Sequence, residues 1–102
     1  MPVPPKQVRD NAKKALEARD KVPPSRKAGT AVGLARANQL AKGENISEAT
    51  LLRMRSYLLR AKFDYRQARE RGLNMENSKA IQAYYLWGGP AALPWVNAQL
   101  SK

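Results

Sequence analysis

The chain is 102 residues long and sets 19 Lys and Arg against eight Asp and Glu, a formal charge of +11, with no His and no Cys. One domain is the expected organisation at that length, and the missing Cys and His exclude disulfides and zinc sites built from those ligands. The hydrophobic fraction of 43% suffices for a folded chain, and so much positive charge on so small a body attracts polyanions at long range.

Residues 1–5 are read as an extended N-terminal arm, because prolines favour that backbone. The stretch MPVPPKQVRD lacks the apolar core of a secretory signal. A first helix is predicted over about 5–21, with Pro5 in the first turn, where its missing N–H would have no partner anyway. Val8, Ala12, Ala15 and Leu16 recur at helical spacing, and Asp10 with Lys14 and Glu17 with Lys21 stand as i, i+4 pairs. Val22-Pro23-Pro24 ends this helix. Residues 22–30 are then expected to be an exposed, mobile basic loop. Its Arg26 and Lys27 serve either an ordinary linker or an arm reaching a phosphate or a minor groove.

The second helix is predicted over about 31–42, stopped by Gly43 as a left-handed cap. Leu34, Ala37, Leu40 and Ala41 form its apolar face, and Arg36, Asn38 and Gln39 point elsewhere. GENISEAT follows, the clearest helix start in the chain. Ser47 caps the helix, Glu48 adds negative charge to its first turn, and Ile46 and Leu51 are spaced for a hydrophobic staple.

The third helix is predicted to run to about Arg71, with Gly72 as its stop. At about 100° per residue it shows two apolar stripes. One holds Leu51, Met54, Leu58, Ala61, Tyr65 and Ala68; the other holds Leu52, Leu59 and Phe63. Arg55, Lys62 and Arg66 lie between them on one side, and Arg53, Arg60 and Asp64 on the other. Two apolar stripes imply a central helix packed between two neighbours. Residues 72–77 form a turn. A fourth helix, apolar nearly all round, starts near Asn77 or Ser78 and ends at Trp87. Gly88-Gly89-Pro90 makes a corner, and a last short helix returns Trp95, Val96 and Leu100 to the bundle.

Residues 80–101 carry no charge and are long enough to span a bilayer. However, Gly88-Gly89-Pro90 and Pro94 break the run and Gln82, Asn97 and Gln99 are polar, so a buried pair of short helices is expected instead. Peripheral membrane binding is not expected either, because no helix joins a broad bulky apolar face to one solid basic face. Nothing suggests catalysis: there is no His to move protons, no Cys nucleophile and no clustered acid pair. No metal or cofactor is expected. Tyr84, Tyr85, Trp87 and Trp95 sit at helical spacing beside Leu and Ala with little basic charge between them, which favours core over a base-stacking platform. The basic side of the third helix is the better binding candidate. Arg55, Lys62 and Arg66 span roughly 16 Å near one azimuth, the reach of a short run of phosphates.

AKGENISEATLLRM, with the short helix before it, resembles part of the Cro/repressor-like helix-turn-helix family. There the recognition helix is followed by a Gly-basic-polar break and a Ser-capped helix. The resemblance implies that Arg36, Asn38 and Gln39 lie on the reading helix, and such side chains make bidentate contacts to base edges. The upstream VPPSRKAGTAVG lacks the spacing of that family's scaffold helix and turn. A second resemblance covers nearly the whole chain. VPPKQVRDNA, GLARANQLAKG, SEATLLRM and the WGG corner are similar to a small helical module of tailed bacteriophages, free-standing or attached to head-maturation proteases. Pro90 stands where that pattern carries an acidic residue. This resemblance implies a phage origin and a compact helical fold rather than a particular task.

The expectation is therefore an all-α single domain over 1–102, with four main helices, a short fifth, and a long central third helix. The expected function is that of a non-enzymatic phage accessory protein in the host cytoplasm or the virion. It would bind nucleic acid, double-stranded DNA above all, mainly at phosphates through Arg36, Asn38, Gln39, Arg53, Arg55, Arg60, Lys62 and Arg66. The alternative is a virion structural or decoration protein, or an interaction protein with an acidic host partner.

Overall fold

Helix α1 (Lys6–Lys21) begins directly after Pro5, whose extended backbone (φ −68°, ψ 164°) makes it the cap residue. It ends where Val22 is forced into extended geometry (ψ 154°) by the proline that follows. The computed structural model describes residues 2–102. Among them the further helices are α2 (Ala31–Ala41), α3 (Glu48–Glu70), α4 (Lys79–Leu86) and α5 (Ala92–Leu100), with single 3₁₀ turns at Pro24–Arg26 and Gly89–Ala91. No strand occurs among the described residues, so the fold is all-α, as expected.

The starts of α2, α3 and α4 are each fixed by one hydroxyl. Thr30 accepts from the Gly33 N–H, Ser47 from Thr50 and Ser78 from Ile81. Such caps satisfy amides that the helix itself leaves orphaned. Gly43 and Gly72 close α2 and α3. Ile46 and Leu51, on either side of the Ser47 cap, are both buried.

Helix α1 buries Val8, Ala12 and Ala15 completely. These short side chains let α2 and α4 lie close against it. Helix α4 touches α1, α2 and α3, which explains its all-round apolar sequence. The third helix is the longest and packs on two neighbours, α4 and α5. Its 23 residues, roughly 34 Å at 1.5 Å each, set the long dimension of a body 38 × 25 × 21 Å. It packs with one stripe only. Leu51, Met54, Leu58 and Ala68 are buried, whereas Leu52, Leu59 and Phe63 stand 44%, 56% and 65% exposed. The second stripe is therefore not an internal packing face. The reason is length: α4 and α5 have 8 and 9 residues and cover one side of α3, while α1 and α2 pack on each other.

The corner after α4 needs its two glycines. Both adopt positive φ, 105° at Gly88 and 70° at Gly89. A methyl group on Gly88 would come within 2.9 Å of Val8 Cγ1, and one on Gly89 within 2.6 Å of Asn11 Nδ2. Asn11 in turn donates to the Gly88 carbonyl at 2.9 Å, so α1 is fastened to the corner.

The segment 22–30, expected as an exposed basic loop, is exposed over most of its length and is anchored at Lys27 and Ala28. Ala28 is buried; its N–H donates to Gln82 Oε1 at 2.7 Å and its carbonyl accepts from Arg19 Nε at 3.0 Å. The Lys27 ammonium turns back onto the Arg19 carbonyl, at the carboxyl end of α1 where the helix dipole favours a cation. Gln82, itself fully buried, also donates to the Met75 carbonyl at 3.0 Å. Of the expected arm over 1–5, Met1 lies outside the described residues; Pro2–Pro5 form no helix, Pro5 is extended, and the arm is docked, with the Pro2 carbonyl accepting from the Ile46 N–H at 2.8 Å.

Candidate functional site

The side chains expected to bind nucleic acid fall into two groups. On α2, Arg36 lies half-buried with its guanidinium 5.7 Å from the centre of the Trp87 ring, and it donates to Gln39 Oε1 at 2.6 Å. Burial, and then the like charge of Arg53, lower its pKa from the usual arginine value. Asn38 is exposed and donates to the Leu34 carbonyl of its own helix at 3.0 Å. Arg36 is thus engaged with Gln39 and Trp87, and Asn38 with the backbone of its own helix.

On α3, Arg53, Arg60 and Arg66 are exposed and Arg55 and Lys62 half-buried. The nearness of Arg36 to Arg53 brings charge from two helices together. None of these α3 side chains is ion-paired. The one ion pair among the described residues is Lys6–Asp10 at 3.0 Å on α1. The spacing predicts Asp10 with Lys14; Asp10 takes Lys6 instead, and the hydrogen bond from that ammonium lowers its carboxyl pKa.

What the residue pattern alone did not identify as a surface feature is the apolar line between the two basic groups. Leu52, Leu59 and Phe63 run along the outer face of α3. Arg55 and Lys62 border it on one side, Arg53 and Arg60 on the other, about 160° apart around the axis at 100° per residue. Single exposed apolar side chains are ordinary on protein surfaces. Three in line, bordered by one sign of charge, form a surface of a defined kind.

The tyrosines and tryptophans pack in the core (Tyr84, Trp87) or against it (Tyr57, Tyr65, Tyr85, Trp95) rather than forming a stacking platform, and of the aromatic side chains Phe63 stands outside. Tyr57 stacks on Trp87 with ring centres 4.5 Å apart, and Tyr65 on Tyr84 at 4.3 Å. A recess of about 560 Å³ between the N-terminal arm and the end of α5 is walled by Pro2, Ile46, Leu51 and Leu100. Its hydroxyl, Ser47, is held by the α3 cap. No group of three acidic side chains able to hold a metal occurs among the described residues, and no helix is long and apolar enough to cross a membrane.

Comparison with protein-family models, with curated proteins and with solved structures gives no match to this chain. The resemblances to the phage module and to helix-turn-helix proteins therefore rest on their residue patterns.

Proposed function

We infer that the protein is a non-enzymatic binding protein that engages an anionic macromolecule through the outer face of α3. The observation that carries this reading is the exposed line of Leu52, Leu59 and Phe63 between two basic borders. Each such side chain, about half exposed, gains roughly 1–2 kcal/mol on being withdrawn from water, and the borders select a partner of negative charge. An acidic protein surface meets both requirements. On the phage-module resemblance, that partner would be a virion or host protein.

Nucleic acid is the second reading, favoured by the +11 charge and by the unpaired row Arg55, Lys62 and Arg66. A duplex would touch that one edge of α3. Across the whole outer face it would leave Leu and Phe side chains against phosphate and water.

Two anionic probes test the surface itself: a labelled 20-base-pair duplex and a labelled poly-glutamate of similar length, each titrated by fluorescence anisotropy at several salt concentrations. Replacing Arg55 and Arg66 together by Ala is expected to weaken binding and flatten its salt slope for whichever probe binds. For the duplex the slope should fall by about one unit for each phosphate no longer neutralised. Replacing Lys13 and Lys14 on α1 is expected to change little. Equal losses from the two pairs would show diffuse attraction to net charge and defeat the assignment to α3.

A further inference from the structure

The outer face of α3 has a finer order than a basic patch with some exposed leucine. Leu52, Ser56, Leu59 and Phe63 follow one another at spacings of four, three and four residues. That is the seam spacing of helices that pair along their length, in which each seam side chain enters a gap between four residues of the facing helix. The positions that border such a seam are then Arg53 and Arg60 on one side and Arg55 and Lys62 on the other. All four are basic. Asp64 stands beyond the Arg60 border, and Arg66 occupies the next seam position and ends the apolar run. The seam is roughly 16 Å long.

The same helix is held from behind. Met54 and Leu58, on the opposite side, are fully buried against the rest of the bundle. The seam is therefore presented on a rigid, preformed helix, and binding there does not require this side to become ordered. The main neighbours of α3 are α4 and α5, and Leu52, Leu59 and Phe63 remain exposed.

We propose that this seam is the docking site for an amphipathic α-helix of another protein that carries acidic side chains along both borders of its own apolar stripe. The proposal rests on the reading of the α3 outer face as a binding surface and names its partner. The border charges decide among occupants. A second copy of this chain, parallel or antiparallel, would set basic borders against basic borders, so self-pairing is repelled. An extended peptide finds no sheet edge to join. A duplex meets apolar side chains at the centre of the contact. A membrane surface asks for a broad apolar face, whereas this seam is one side chain wide and interrupted by Ser56. An acidic helix satisfies seam and borders together.

The test is a titration of the full ¹⁵N-labelled chain, followed by amide NMR shifts, with a designed three-heptad peptide bearing Leu at its seam and Glu at its borders. Three controls accompany it: the same peptide with Lys borders, a scrambled Glu peptide of equal composition, and the 20-base-pair duplex. The expected result is that the Glu-bordered peptide shifts the amides of residues 52–63 and the Lys-bordered one does not. Phe63→Ser is expected to weaken binding about tenfold or more; that residue is 65% exposed, so the fold is kept. Reversing Arg53, Arg55, Arg60 and Lys62 to Glu is expected to switch preference to the Lys-bordered peptide. Equal binding of the scrambled peptide would overturn the proposal, because charge without a seam would then suffice. Shifts at 52–63 from the duplex alone would overturn it while leaving the α3 surface reading standing. No shift at 52–63 from any probe would defeat both.

Discussion

Tyr57 and Tyr65, half-buried against the core, show how a side chain can report on folding. Burial pushes the Tyr57 phenol up to about 12. Burial first, and then a hydrogen bond with Tyr85, push Tyr65 up to about 12. Burial raises Tyr84 as well. An unfolded tyrosine ionises near about 10. Between those values the native chain holds protons that the unfolded chain has lost, so native stability falls as pH rises there. The contribution is fully present below about pH 10 and is lost as pH rises through about 12. Spectrophotometric titration of phenolate is expected to lag in the folded chain behind the urea-unfolded one, and Tyr57→Phe to remove part of that lag. Superimposed curves would mean that these rings are not shielded from water. At this scale the residue pattern was informative about environment: Leu and Ala around the aromatics at helical spacing marked them as core. It could not say that Gln82 and Asn11 would be buried, because their hydrogen-bonding partners, Ala28 and Gly88, lie far off in the chain.

Along α3, adjacent residues meet opposite fates. Leu58 is fully buried and Leu59 is 56% exposed. Leu58→Ala is expected to cost about 2–5 kcal/mol, the transfer loss plus the cavity left behind. Leu59→Ala is expected to stay within about 0.5 kcal/mol. Urea denaturation of the two variants checks this, and similar losses would mean that the second stripe is covered after all. Helix existence, caps and stops were legible because they are local: Ser47, Gly43 and Gly72 act within a few residues. Two apolar stripes were legible too. Which one the fold covers was not, since that depends on the reach of α4 and α5, set by the corner at Gly88-Gly89 and by chain downstream. The same holds for the candidate site. Its basic residues are evident from their spacing on α3, but its apolar centre reads in the sequence as core. Arg36 and Gln39 look free from the sequence, and Trp87 lies too far along the chain for its ring beneath Arg36 to be foreseen.

For the molecule as a whole, charge and packing act in opposition. A body with a radius of gyration of 12.7 Å confines a net charge of +11, with a single ion pair among its described residues. Self-repulsion in the folded state is stronger than in an expanded chain, and salt screens it over about 10 Å at 0.1 M. The melting temperature is therefore expected to rise with sodium chloride between about 0.02 and 0.3 M, read by circular dichroism at 222 nm. A fall over that range would point to a net attractive arrangement of surface charge.

Gln82 gives the fold one more property. Its amide holds Ala28 with one end and Met75 with the other, so a single side chain joins the loop that leaves α1 to the loop that enters α4. Withdrawing it leaves the buried Ala28 N–H without its partner and frees the Met75 carbonyl as well. Opening of one loop is thus coupled to that of the other. Hydrogen exchange should see them as one cooperative unit, although more than forty residues of chain and the whole of the longest helix lie between them.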